Sequence, residues 1–395
     1  MVLTETTLEP AFPEQKESAL EDLACAVIEH AGRLEGKVRD PLRQDLVEVT
    51  RWMHCYYSNL IEGQHTRVPD IEAALRQDFS SEPEKSDLQQ LALAHLACQR
   101  WAAGHDGSPF APDFLCELHR RFYSELPASL RVATTWTGVK VPLEPGVLRT
   151  TDVKVGAHIG PPHGLVPALL RHFRQRYESP GISRAASIVA VAASHHRLAW
   201  IHPFRDGNGR VVRLFSDALI RRAGVDSGGL WSLSRGLASR REEYYERLAA
   251  ADRERSSSSE DDGHGHLSER ALREFCEFML RVMLDQIAFM EKLLELDSLA
   301  DRIERYVRME AGMGEAGRRV FLLLREALYR GEFPRGEAGR IAGAGERTGR
   351  VALTAAIGAG LLRSKTPKSP VRIALPAKVL GTYFPQLFPP GQLQA

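Results

Sequence analysis

Residues 183–200, SRAASIVAVAASHHRLAW, carry small or apolar side chains on nearly every face of a helix. A helix without a polar stripe cannot lie on a surface. It has to be surrounded, which commits the chain to a mainly α core packed round one central rod. The segment after the rod is equally restrictive. Pro203 is a poor residue to continue it, since its ring clashes with the preceding turn and it has no N–H to donate. Gly207, Asn208 and Gly209 tolerate backbone angles that other residues avoid. From Asn208 a second helical pattern runs through VVRLFSDALIRRAG to a stop at Gly224. A buried helix, a tight glycine turn and a new helix therefore succeed one another within a few residues.

Before this unit, a short arm carrying Pro10 and Pro13 precedes a helical pattern that starts at Lys16. Helical spacing then predicts helices over 42–61, 70–77, 86–104, 112–126 and 165–177. Residues 137–163 are rich in Val, Thr, Pro and Gly and read as one or two short strands or a hairpin. Helical spacing returns over 267–307, after a polar stretch, SSSSEDDGHGH (256–266), that reads as a solvated loop and not as a metal site. The tail reads as helix, two short helices and two strands, the order of a winged helix-turn-helix. The expected organisation is an N-terminal helical region (1–112), a helical core with a short β-hairpin (113–312) and a winged helix-turn-helix-like domain (313–395).

Composition excludes several functions. The formal net charge of +1 provides no global field toward nucleic acid or membranes, so any such role needs a local patch. Five scattered cysteines with no CxxC fit a reducing cytosol and argue against a disulfide framework or a structural zinc site. No apolar run approaches a membrane span, and the N-terminus lacks a secretory pattern. A cytoplasmic protein with no membrane partner is expected.

The glycine turn before the second helix has its own chemistry. The first amides of a helix have no intrahelical acceptor, and they make an anion site. Arg210 and Arg213, three residues apart, project from one side of that helix start. Positive side chains there oppose the helix dipole, a mismatch that an anion such as polyphosphate relieves. Asp206 is a hard oxygen ligand suited to Mg²⁺ bridging phosphates. His202 is the local group able to take a proton near neutral pH.

The whole string, HPFRDGNGRVVR (202–213), resembles the Fic family motif HxFx(D/E)GNGRxxR at every defined position. The preceding SHHRLAW and the strand-like LRTTDVKVG (148–156), similar to the family's flap, extend the resemblance over roughly residues 40–300. The resemblance implies a protein adenylyltransferase that moves AMP from ATP to a Ser, Thr or Tyr hydroxyl. His202 would then be the general base and Asp206 the Mg²⁺ ligand. Phe204, Gly207, Asn208, Gly209, Arg210 and Arg213 would hold the nucleotide, Arg213 at the γ-phosphate. A protein substrate would dock on the flap by backbone pairing, and a homodimer is an expectation from the family. Transfer of UMP, phosphate or phosphocholine remains open, because the loop reads phosphates and not the base. Tyr244 and Tyr245 are candidate self-modification points, although packing accounts for both.

Ser58–Gly63 (SNLIEG) ends a helix at a glycine stop and leaves Glu62 at the unfavourable end of the dipole. It resembles the family's inhibitory motif (S/T)xxxE(G/N), in the class whose inhibitory helix is N-terminal to the core. Ser58 and Glu62 would then form a brake in which Glu62 pairs with Arg213. In some relatives such a glutamate serves removal of AMP, so a de-AMPylating hydrolase is the alternative, beside a nucleotide-sensing DNA-binding regulator. In the tail, residues 315–372 hold twelve Lys/Arg against five Glu. Arg347 and Arg350 fall on the second short helix and Lys365 and Lys368 in the wing, which offers DNA or a partner protein a surface.

Overall fold

The structure is a computed structural model that describes residues 3–13, 18–135, 137–178, 182–256, 265–311, 314–389 and 391–393. Four helices, α1 (Ser18–Lys37), α2 (Leu42–Ile61), α3 (Val68–Leu75) and α4 (Pro83–Ala103), lead into α5 (Pro112–Ser124). Two small hairpins come next: β1 (Val132–Thr134) with β2 (Lys140–Pro142), and β3 (Lys154–Val155) with β4 (His158–Ile159). The chain then forms α6 (Val166–Tyr177), α7 (Arg184–Ile201), α8 (Asn208–Arg222), α9 (Leu233–Ser239), α10 (Arg241–Ala251), α11 (Glu269–Leu293) and α12 (Leu296–Ala311).

The surrounded rod is α7. Ser183 caps it by accepting the Ala186 N–H at 3.1 Å, and Ile188 through Ala193 are all buried. Helices α1, α6, α8 and α11 pack round it. The helix expected over 42–61 appears with those bounds, and that over 86–104 starts three residues earlier because Pro83 takes the first helical position. The helical stretch over 267–307 is broken in two. Buried Leu294 ends α11, and the Arg302 guanidinium covers the freed Leu293 carbonyl. The helices α9 and α10 were not expected. Of the polar loop, residues 257–264 lie outside the described residues.

The N-terminal arm is anchored. Arg197, fully buried on α7, donates to the Pro10 carbonyl at 3.0 and 2.9 Å, and Leu8 and Ala11 are buried. The β3–β4 hairpin presents exposed Val155 and Ile159.

After α12 come α13 (Glu315–Arg330), β5 (Glu332–Phe333), α14 (Ala338–Ile341), α15 (Glu346–Gly358), β6 (Leu362–Arg363), β7 (Val371–Ile373) and α16 (Ala377–Tyr383). The strands form an antiparallel sheet in the order β5-β7-β6, one strand more than expected. A Cβ on Gly349 would lie 2.4 Å from the Gly339 Cα, so α14 and α15 cross backbone to backbone. Helix, crossing helix pair and hairpin sheet follow one another in the order expected of a winged helix-turn-helix. It grips α2: Arg363 pairs with buried Asp45, and the Tyr57 hydroxyl donates to the Leu387 carbonyl at 3.0 Å.

Candidate active site

Helix α7 ends on His202, which adopts the left-handed conformation with φ of 50°. For a residue with a side chain this is uncommon and needs support from its surroundings. The support comes from Arg149. Its Nε donates to the His202 carbonyl at 2.7 Å, and Nη2 reaches the Pro161 carbonyl and, at 3.4 Å, that of Ile201. The Arg149 backbone N–H adds a bond to the Pro203 carbonyl at 2.9 Å. One buried arginine thus staples the segment before the flap onto the turn after α7.

The turn is closed from inside by Asn208. Its Oδ1 accepts the Phe204 N–H at 2.9 Å and its Nδ2 donates to the Phe204 carbonyl at 2.8 Å. Phe204 is fully buried and stacks on His119, ring centroids 4.1 Å apart. Both side chains shape the loop, so anything they offer a nucleotide comes from their backbone. His119 accepts the Gly146 N–H at Nδ1 (2.7 Å), which leaves Nε2–H to donate to the Asp206 carbonyl (3.2 Å). Burial lowers its pKa to about 4, in keeping with that neutral tautomer. Gly207 has φ of 76°, and a Cβ there would lie 2.5 Å from the Tyr123 hydroxyl, so only glycine fits.

Helix α8 starts at Asn208, and its first amides are free of intrahelical acceptors. Over them lies Glu62. A Cβ on Gly209 would be 2.3 Å from Glu62 Oε1, and the same oxygen accepts from Arg213 Nη2 at 2.7 Å. Arg213 also donates through Nε to Ser58 Oγ at 3.0 Å and through Nη2 to the Ser58 carbonyl at 3.1 Å. Arg210 is held beside it, Nε on Asn59 Oδ1 (3.3 Å) and Nη2 on Gln64 Oε1 (2.5 Å). Both motif arginines are therefore engaged by the end of α2. The chain reverses there in a Schellman motif, with Gln64 N–H on the Asn59 carbonyl (2.9 Å), Gly63 N–H on that of Leu60 (3.0 Å), and Gly63 at φ of 79°.

The electrostatics are set by this geometry. Burial would raise the Glu62 pKa, but Arg213 and Arg210 outweigh it and the group is shifted down. Burial would likewise lower Arg213, and Glu62 pushes it up instead. His202 is lowered to about 4 by burial first, then by His158 and Arg149, so its imidazole is neutral at pH 7. The His158 ring lies 6.3 Å from it. Asp252 ties His158 on the flap (3.0 Å) to His196 on α7 (3.0 Å). Asp206 is exposed, with one oxygen on the Gly207 N–H at 2.6 Å. Tyr244 is buried with its hydroxyl on His195 (2.8 Å), and the Tyr245 hydroxyl donates to the Ile61 carbonyl (3.3 Å).

A neutral imidazole, a glycine turn opening an anion-binding helix and a two-arginine clamp stand together. Residues 109–220 match the model of the Fic/DOC family. This stretch is a Fic/DOC domain. The chain is similar to proteins named protein adenylyltransferase Fic from Drosophila erecta (36% identical over 177 residues) and Nematostella vectensis (29% over 188). These matches cover 44% and 47% of this chain but only 32% and 40% of the relatives' own length. In fold, the chain is similar to a Fic family protein from Desulfovibrio desulfuricans G20 (TM-score 0.55, 20% identical), over 92% of this chain and 98% of that one. A second likeness is to Fic-1 from C. elegans (TM-score 0.52, 19% identical), covering 71% and 74%.

The turn after α7, the start of α8 and the end of α2 thus bring together in space His202, Phe204, Asp206, Gly207, Asn208, Gly209, Arg210, Arg213, Ser58 and Glu62, the residues singled out from the sequence. Asn59, Gln64, His119 and Arg149 were not singled out. Asn59 lies within Ser58–Gly63 and Gln64 just after it, and their meeting with Arg210, 151 and 146 positions further on, left no signal in the spacing. His119 and Arg149 act on backbone carbonyls, which leave no mark in a sequence.

Proposed function

We propose that this protein transfers AMP from ATP to a hydroxyl of a protein, itself included, and that the end of α2 restrains it. The observation that carries the reading is the Glu62 carboxylate at the N-terminus of α8: a negative group already occupies the place where a polyphosphate would bind. When Glu62, Ser58, Asn59 and Gln64 let go, Arg210 and Arg213 become free to clamp phosphates.

His202 would then take the proton of the incoming hydroxyl. The hydroxyl oxygen bonds to the α-phosphorus, the bond from that phosphorus to the bridging oxygen breaks, and pyrophosphate leaves. The phosphates' negative charge would raise the imidazole pKa toward the working pH, where a general base is most effective. A magnesium ion fits beside them. Asp206 offers an exposed carboxylate, and among the described residues no cluster of three His, Cys, Asp or Glu forms a protein cage. Mg²⁺ is commonly held by one or two carboxylates plus substrate phosphates. Asp206 would hold it, and the ion would neutralise phosphate charge.

Exposed Val155 and Ile159 on the short β3–β4 hairpin support docking of an extended protein segment there. No described helix is long and apolar enough to cross a membrane. The five cysteines are free thiols, which suits a cytoplasmic setting.

The test uses the Glu62→Gly protein with Mg²⁺ and ATP labelled at the α- or the γ-phosphate. Label should enter protein from the α position alone. Entry from the γ position, or from neither, would sink the reading.

A further inference from the structure

None of the site's side chains named above comes from the winged helix-turn-helix, and this domain carries an unpaired positive surface. Half of its ten arginines are neutralised within the domain. Arg318 and Arg319 meet Glu315, Arg330 meets Glu326, Arg340 meets Glu337, and Arg372 meets Glu332. Arg363 is taken by Asp45 of α2. Among the described residues, Arg325, Arg335 and Lys378 have no carboxylate within 4.0 Å, and neither do Arg347, Arg350, Lys365 and Lys368. The last four are all exposed.

Their placement is not scattered. Arg347 and Arg350 lie in the first turns of α15, whose outer face continues through Thr348, Val351, Thr354 and Ala355. Val351 is 63% exposed, with no neighbour to cover it. The face therefore combines guanidinium forks with small and methyl-bearing side chains, the groups that read guanine edges and thymine methyls. Its thirteen residues span about 20 Å at 1.5 Å each, and a helix fits the roughly 12 Å major groove of B-form DNA. The backbone contact at Gly339 and Gly349 packs α14 across the buried side of α15, and Arg347, Arg350 and Val351 lie exposed on the other.

The wing is pinned as well. Ser364 Oγ donates to the carbonyls of Thr366 and Ser369, both at 2.8 Å, and Thr366 Oγ1 bonds Ser369 Oγ at 2.8 Å. That closes the 364–369 turn and holds Lys365 and Lys368 on its outside, where phosphates beside the groove would lie.

We propose that α15 and the wing bind duplex DNA, with α15 in the major groove and Lys365 and Lys368 on the backbone. The complementary charge is local, against a whole-chain net charge of +1, so binding comes from this face and not from a general field. This does not depend on AMP transfer, and either reading survives the failure of the other.

The full chain is titrated into a fluorescent duplex of mixed sequence, of about 20 base pairs, and anisotropy is read at about 50 and 200 mM salt. Binding should be present at the lower salt. It should weaken about tenfold at the higher, as expected for about two phosphate contacts, those of Lys365 and Lys368. Arg347→Ala/Arg350→Ala and Lys365→Ala/Lys368→Ala should each weaken it about tenfold or more, with melting temperatures unchanged because all four side chains are exposed. A duplex RNA of the same sequence should bind less well, since its deep, narrow groove does not admit a helix. No binding at low salt, full binding by both variants, or equal binding of the RNA duplex would each overturn the proposal.

Discussion

Glu62 Oε1 accepts from Arg213 Nη2 at 2.7 Å although the two residues are 151 positions apart, one capping the end of α2 and the other in the second turn of α8. Glu62 caps the negative end of α2, where a carboxylate is disfavoured, and rests on the positive end of α8, where it is favoured. The second contact, with the guanidinium, offsets the first cost. Glu62→Gly should therefore free Arg213 and raise self-modification by labelled ATP about tenfold or more. Its melting temperature should fall without nucleotide, because a buried arginine loses its partner, and recover as ATP supplies an anion. Unchanged labelling would remove the brake from the account.

His202→Ala in the Glu62→Gly protein should remove AMP transfer by about 10²–10⁴-fold while ATP still binds, since a general base contributes on that order. Calorimetric titration of ATP and a labelling time course separate the two. A variant that labels as fast as its parent would show that the imidazole takes no proton.

Arg149→Lys keeps a positive charge but loses the planar fork that reaches four carbonyls at once, those of Thr151, Pro161, Ile201 and His202. Carbonyls left without donors cost about 1–3 kcal/mol each when buried. The substitution should lower the melting temperature and slow transfer several-fold more than it weakens ATP binding, because it releases the backbone that aims His202. Equal effects on rate and affinity would place Arg149 outside the positioning of the base.

Acid should destabilise the fold early. Burial holds His119 down to about 4 and, with Arg213, His195 to about 3; His95 is also held well below its usual value. All three are buried. In the unfolded chain they titrate near 6.5. Between about pH 6.5 and 4 the unfolded state thus takes protons that the folded state refuses, and stability falls as pH falls. Each such histidine contributes about 1.4 kcal/mol per pH unit. His202 and His196 are lowered in the same way, while His54 works the other way, because Asp217 raises it against burial, so five losses meet one gain. Melting temperatures at pH 7.5 and 5.5 read the net effect; a flat profile would contradict it.

The C-terminal domain should strengthen the brake, because it holds the helix that bears Glu62. Arg363→Ala removes the partner of Asp45 near the start of α2. Tyr57→Phe removes the bond to the Leu387 carbonyl near its end. Either change should raise self-modification a few-fold, less than Glu62→Gly does. No rise in the double variant would show that α2 is held by the Fic domain alone.

Residues 202–213 could be read as one functional unit because the features that make it are local. Pro203 stops a helix, Gly207 admits a left-handed angle, and a helix start leaves amides free wherever it lies. The helix over 42–61 and the glycine stop at Gly63 were legible for the same reason. The split at Leu294 was not, since apolar spacing continues across it and only packing ends α11 there.

The order of residues alone thus settles the short-range geometry: where the chain turns, where an anion can bind, and which arginines face it. Folding in three dimensions settles which distant groups share that place. Asn59 and Gln64 on Arg210, Glu62 over Gly209, and Arg149 beneath His202 come from segments dozens to more than a hundred residues away. Such meetings depend on how helices pack and which charges burial leaves in need of a partner. No spacing along the chain records either.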